Sequence, residues 1–405
     1  MSWLRGPAVL TLVMFSAQVL GMASFVTFPA LLPLFQSEWQ LNNTEAGWIS
    51  GVFFAGFVAS TPILTTLTDR IDPKRIFLVG MVITAISSLG FGWMADGIWS
   101  ATLWRILHGI GYGACYMPGM KALSDAVPES VQGRAVAFFT ATYTIGVSFS
   151  FFVSGPAAEA FGWQTTYYLF ALGPLAGILM VAVALPAAPK REVSRTVFEF
   201  KPIVESRPTL AYMSAYFFHN AESSTIRAFA VSFLVLAAAM QPAGAAGADW
   251  DPIMIAAIAN LFGLPAIMLI NEMARLWDRR LVISAIMVVC SLVGVAMAAS
   301  ISWGFLWVVG LMMLYGFLVP ADVGSINAGL VGITDSERRG ATMAIHAVCG
   351  FTGANLGPVF FGAILDLTGG QGAPDAWIAA FAGMFLMMLL GPVLLYWLGR
   401  DSRKA

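Results

Sequence analysis

Charged residues are scarce in this chain. Of 405 residues only 11% are Asp, Glu, Lys or Arg, while 59% are hydrophobic. Water-soluble domains carry about 25% charged residues, so this composition argues against a soluble enzyme of this length. The net charge of −1 provides no basic face, and no nucleic-acid partner is expected. Cysteine is limited to Cys115, Cys290 and Cys349, all inside apolar runs. An odd number so placed argues against a disulfide framework, and no His/Cys cluster has metal-ligand spacing. The Gly109–Gly113 stretch sits within an apolar run rather than after a strand, so it does not match a nucleotide-binding loop. No metal, no cofactor and no enzymatic activity are expected.

Apolar runs are what the chain has in quantity. A membrane helix needs about 20 mostly apolar residues. Runs of that kind lie near residues 8–34, 46–67, 76–95, 99–120, 134–158 and 166–186. A second set lies near 211–239, 253–271, 281–300, 303–330, 341–366 and 376–398. The first run outlasts a signal-peptide core of about 7–15 residues and is read as a retained helix. The longest polar stretch, Ala187 to Pro208, separates the sets and suits a linker that is partly an amphipathic surface helix. The expected fold is an all-α membrane protein of about twelve transmembrane helices in two pseudo-symmetric six-helix bundles. Residues 1–186 form the first bundle, 187–210 a cytoplasmic linker and 211–405 the second bundle.

Charge placement orients these spans. With the N-terminus in the cytoplasm, the inner loops carry Arg70, Lys74, Arg75, Arg134, the linker cations, Arg275, Arg279, Arg280, Arg338 and Arg339. The outer ends carry Glu38, Glu45, Asp96, Glu159, Asp249, Asp251, Asp366 and Asp375, with no Lys or Arg. That is the positive-inside pattern. It predicts cytoplasmic termini in a cytoplasmic (inner) membrane, of a bacterial kind. The halves also repeat. Gly133, Gly146, Gly155 and Gly162 recur 207 positions on as Gly340, Gly353, Gly362 and Gly369, and Glu159 recurs as Asp366. Two repeated halves are the layout of a large transporter class.

Local motifs carry a family resemblance. Thr66 to Arg75, TLTDRIDPKR, resembles the loop between helices 2 and 3 of the major facilitator superfamily, through Leu67, Asp69, Arg70, Lys74 and Arg75. Thr65 stands where glycine is usual, and Asp72–Pro73 replaces the second glycine. The second half keeps Asp278, Arg279 and Arg280 at the equivalent place. Arg105, Gly109, Gly111 and Ala114 resemble the family pattern of the fourth helix. Gly155–Pro156 resembles part of the antiporter motif, but Phe151 and Ala158–Glu159 depart from it. The resemblance implies two six-helix halves that rock about a central site near the bilayer midplane. It further implies that Asp69, with Arg70 and Arg75, and Asp278 with Arg279 in the second half, form a conformational latch. Asp69 would face the positive start of the eleventh helix.

Ionisable groups inside a membrane are costly and tend to mark function. In the seventh run, His219, Glu222 and Arg227 stand among Asn220, Ser223, Ser224 and Thr225. His219 and Glu222 are three apart and share a helix face, whereas Glu222 and Arg227 should not pair within the helix. Arg105 and His108 share a face of the fourth run. Asp322 and His346 lie at similar depth in the tenth and eleventh runs, which permits a His–carboxylate pair, and Asn327 and Asn355 add polarity. Lys121 and Asp125, four apart, suit a helix-surface salt bridge. The alternatives are a buried structural ion network between helices for the seventh-run group, an Arg105 that holds neighbouring helices by hydrogen bonds to carbonyls, and a cytoplasmic gate contact that never meets substrate for Asp322 and His346.

These residues suggest a secondary transporter coupled to protons, acting on a small organic anion or carboxylate. Arg105 and Arg227 would favour the anion, and Glu222, with His219 or His108, would take and release the proton. Arg105, His108, His219, Glu222, Arg227, Asp322, His346 and Asn355 are therefore the candidate site residues. Proton-coupled efflux of amphipathic compounds is the alternative within the class, and a non-transporting membrane sensor the alternative outside it. The expected partners are substrate, protons and the lipid bilayer, and a monomer is expected.

Overall fold

The structure, a computed structural model, describes residues 6–68, 70–187, 203, 205–335 and 338–399. Among them helix is the only regular secondary structure. The helical segments join into twelve helices. The first half holds α1 (Pro7–Gly21, then Thr27–Ala30 and Leu32–Trp39), α2 (Asn43–Leu67), α3 (Pro73–Met94), α4 (Ile98–Ala126), α5 (Glu129–Thr140 and Thr142–Phe161) and α6 (Trp163–Ala184). The second holds α7 (Arg207–Ala239), α8 (Pro252–Leu261 and Gly263–Leu276), α9 (Arg279–Ala299), α10 (Phe305–Leu318 and Val323–Ile333), α11 (Arg339–Leu367) and α12 (Pro374–Met388 and Leu390–Gly399). Ten of these are long and apolar enough to cross a membrane. The remaining two are α1, which is broken, and α4, whose apolar stretch is diluted by Arg105, Lys121 and Asp125.

Helix starts follow local chemistry. Pro7, Pro73, Pro252 and Pro374 sit in the first turns of α1, α3, α8 and α12, where a missing N–H costs nothing. Asp72, Asp251 and Asp278 accept the backbone N–H of Lys74, Ile253 and Leu281 at 2.9, 2.8 and 2.9 Å, capping α3, α8 and α9. Two helices are interrupted by more than a kink. In α1, Met22–Val26 is unwound, and in α10 the break is Val319–Asp322, containing Pro320. Proline lacks the donor that would continue the helix.

Two C-terminal ends are stapled by cations. The Lys74 ammonium at the start of α3 donates to the carbonyls of Ala182 (3.0 Å) and Leu185 at the end of α6. Arg280 at the start of α9 donates to the Gly399 carbonyl, the last residue of α12. Cations are favoured where a helix exposes its last carbonyls.

The chain divides into two compact units, one of Met1–Leu31 with Val52–Thr196, the other of Leu32–Gly51 with Val197–Ala405. The boundary falls inside α2, whose N-terminal turns through Gly51 belong with the second unit. In the first unit Leu10, Met14, Phe77, Met81, Leu123, Phe139 and Val181 form a buried core. In the second, Phe361 meets Phe381 edge to face at 5.1 Å beside Trp377, which is fully buried. Large apolar side chains also cover the outside. Trp93, Trp99 and Trp303 are exposed near helix ends, and Leu12, Ile63, Leu179 and Val183 along helix flanks. Such a surface suits lipid, with tryptophan at interface depth. The protein is an integral, multi-pass membrane protein.

Candidate functional site

In the first unit the polar groups gather at the unwound turn of α1. Breaking a helix in a membrane frees backbone groups that water cannot reach, so protein must satisfy them. Ser150 of α5 does this twice, donating to the Ala23 carbonyl at 2.7 Å and accepting the Val26 N–H at 3.0 Å. Arg105 of α4 donates through Nη1 to the Phe25 carbonyl at 2.9 Å, and its guanidinium lies 5.1 Å from the Phe53 ring centre. Hydroxyl pairs flank the turn, Ser24 with Ser88 at 2.7 Å and Thr27 with Ser154 at 2.9 Å. Arg105 and His108 are both buried, and His108 sets its ring edge to face against Phe53 at 5.3 Å. The expected shared face of Arg105 and His108 is thus packed against aromatic rings and a backbone carbonyl. Its charge is held by a backbone carbonyl and a ring face.

In the second unit α7 supplies the chemistry. Glu222 is 3% exposed. Its Oε1 accepts the Ser291 hydroxyl of α9 and the Tyr315 hydroxyl of α10, each at 3.0 Å. Among the described residues no cation comes within ion-pair distance of this carboxyl, and Arg227, half-buried on the same helix, is not its partner. One turn earlier on α7, His219 Nδ1 meets Asp322 Oδ1 at 2.6 Å, both side chains buried. His346 Nε2 of α11 meets Asn327 Oδ1 of α10 at 2.9 Å. Tyr216 lies between the histidines, stacked on His346 at 4.0 Å and parallel to His219 at 6.1 Å.

Equal depth along α10 and α11 suggested Asp322 with His346. The geometry instead joins Asp322 to His219 and His346 to Asn327. The break at Pro320 is the reason. It leaves Asp322 at the N-cap of the second α10 segment, where the side chain makes no cap bond and reaches α7 instead. The signal in the sequence was Pro320 within an apolar run. Ser291, Tyr315, Ser150 and Phe25 are the contacts that sequence reasoning passed over. Hydroxyl and carbonyl partners on distant helices leave no pattern in a single sequence.

The other expected residues lie apart. Asn355 is half-buried, and its side-chain oxygen has no hydrogen-bond partner among the described residues. Lys121 pairs with Asp125 at 3.3 Å along α4. Asp69 lies outside the described residues. Arg70 and Arg75 are exposed. Asp278 caps its own helix, and Arg279 donates to the Ser325 carbonyl of α10 at 3.1 Å. No group of three His, Cys, Asp or Glu that could hold a metal is present among the described residues.

The sequence model of the Major Facilitator Superfamily matches residues 13–319. The chain is 26% identical over 179 residues to the candidate niacin/nicotinamide transporter NiaP of Bacillus subtilis, covering 44% of this chain and 43% of that protein. It is 22% identical over 156 residues to the 4-hydroxybenzoate transporter PcaK of Acinetobacter baylyi, covering 38% of this chain and 34% of that protein. The alignments thus span less than half the length of these curated relatives. A solved bacterial homologue of the human lysosomal transporter Spinster, inward-facing and occupied, superposes with a TM-score of 0.73 at 15% identity, covering 97% of this chain and 95% of that one.

Proposed function

The chain belongs to the Major Facilitator Superfamily, and on that premise we propose that it is a proton-coupled secondary transporter of a small organic anion, working by alternating access. The proton reading rests on one observation. Glu222 is buried at the middle of α7 with two neutral hydroxyl donors on one oxygen and no ion-pair partner among the described residues. A carboxylate so placed is costly to leave ionised. Gaining and losing a proton changes which conformation is cheaper.

An anionic substrate is supported by two features. Arg105 and Arg227 bring positive charge to helices that also carry the candidate residues. The names of two relatives refer to niacin or nicotinamide and to 4-hydroxybenzoate; niacin and 4-hydroxybenzoate are small carboxylic acids, whereas nicotinamide is a neutral amide. Arg105 would act from behind the unwound turn, since one guanidinium nitrogen is bound to Phe25. The same proposal includes two bundles joined by a linker near residues 187–210, termini in the cytoplasm, an inner-membrane location and a monomer.

The decisive experiment is uptake into proteoliposomes under an imposed proton gradient, with small aromatic acids as substrates. Accumulation that collapses with a protonophore supports the proposal. Accumulation indifferent to the proton gradient would refute proton coupling. Competition by amphipathic cations but not by acids would refute the anion assignment.

A further inference from the structure

We propose that Asp366 is a detachable helix cap, a latch that holds the outer end of α2 on α11 and lets go when the transporter opens outward. This rests on the alternating-access reading and on the expected topology.

The donor accounting at the start of α2 carries the inference. A helix begins with N–H groups that have no partner within it. Asn42 and Glu45 form a reciprocal capping pair. Asn42 Oδ1 accepts the Glu45 N–H at 2.8 Å, and Glu45 Oε2 accepts the Asn42 N–H at 3.0 Å. The Ala46 N–H goes to the Asn42 carbonyl at 3.0 Å. Two donors remain, on Asn43 and Thr44. Asp366 of α11 takes both, at 3.0 and 2.8 Å on separate carboxylate oxygens. It also accepts the Asn43 side-chain amide at 2.8 Å and the Thr44 hydroxyl at 2.6 Å. The first turn of α2 is therefore completed by a residue 323 positions away.

The backbones are built to allow this approach. A Cβ on Gly47 would stand 2.2 Å from the Pro358 carbonyl oxygen, and one on Gly362 would stand 2.2 Å from that of Asn43. Only glycine tolerates such contact. It brings the end of α11 against the start of α2.

The contact is also suited to release. Asp366 is exposed, so water can replace its partners when the helices part. A carboxylate at a helix N-terminus is favoured by a modest amount rather than locked there. The internal repeat makes the arrangement one-sided. Thr44 corresponds to Asp251, which caps α8 from within its own helix. Asp366 corresponds to Glu159, which is exposed and makes no hydrogen bond or ion pair among the described residues. In one half the cap is built in, and in the other it is borrowed. The α2 helix runs on past Gly51 into the other compact unit, so the borrowed cap acts on a helix that both units share.

A single reporter cysteine tests the latch. Ser50 of α2 is buried, at 5% exposure. Ser50→Cys is placed in a protein with Cys115, Cys290 and Cys349 replaced by serine, after monodispersity is checked. Its labelling by an impermeant maleimide from outside is then timed. Asp366→Asn keeps size but loses the charge and two of the four acceptances, and should speed labelling about threefold or more. Thr44→Val, which removes one donor, should speed it less, and Glu159→Gln should leave it unchanged. Labelling at the parental rate in Asp366→Asn would overturn the latch. An equal acceleration by Glu159→Gln would also overturn it, because removal of any outer charge would then suffice. The labelling needs no substrate. A parent that fails to accumulate solute while its labelling responds to Asp366→Asn would refute the transport reading and leave the latch standing.

Discussion

His219 and Asp322 meet at 2.6 Å across α7 and α10, at the point where α10 is broken. The pair ties the second α10 segment to α7, and the His346–Asn327 contact ties the same segment to α11. Tyr216 stacks on His346 at 4.0 Å and lies parallel to His219 at 6.1 Å. The second segment of α10 is therefore tied to its neighbours through two histidines.

The pair should behave as a unit. His219→Gln and Asp322→Asn should each reduce initial uptake about tenfold, and the double variant should be no worse than the weaker single, as coupled residues are non-additive. Uptake rates in a double-mutant cycle measure this. Additive losses would show that the two residues work separately.

Glu222→Gln should abolish proton-driven accumulation and leave substrate exchange within about threefold of the parent. Glutamine keeps the shape and can still accept from Ser291 and Tyr315, but it does not titrate. Accumulation and counterflow assays on the same preparation separate the two activities. If Glu222→Gln still concentrates substrate, the coupling site is elsewhere, and His219–Asp322 becomes the first place to look.

Ser150→Ala should destabilise the first unit, because one hydroxyl serves both the Ala23 carbonyl and the Val26 N–H. Leaving buried backbone groups unsatisfied costs about 1–3 kcal/mol. The melting temperature in detergent should fall, with partial recovery in Ser150→Thr. An unchanged melting temperature would mean that water enters the unwound turn.

Asp249→Cys in a cysteine-free protein should react with an impermeant reagent applied from outside. Reaction only after permeabilisation would invert the topology read from the positive loops.

The twelve helices were legible because span length and apolarity are properties of single segments. The run near 8–34 gave the position of α1 but not its unwound turn, and the run near 303–330 did not reveal that α10 is two pieces. Hydropathy counts side chains and is blind to where backbone groups find partners. Here those partners are Ser150 and Arg105, 127 and 80 residues from Ala23 and Phe25. The candidate residues were visible as charges in apolar surroundings, but their pairing was not. Depth along straight helices put Asp322 beside His346, whereas the break at Pro320 sends its side chain to α7. The role of Asp366 in finishing α2 was hidden for a related reason. Its place in the repeat was plain, but nothing in the repeat says that Glu159 would stand alone while Asp366 takes four hydrogen bonds.

The cation staples set how the chain can be cut and spliced. Lys74 grips the last carbonyls of α6 just before the segment that leads to the second half, and Arg280 grips Gly399 where α12 ends. Each exit point is thus welded to the beginning of a helix three earlier in the order. A truncation ahead of Gly399 would take this acceptor from Arg280 and loosen both α9 and α12. For tags, fusions and split halves, the safe seams lie beyond Gly399 and beyond Leu185, never within the turns that precede them.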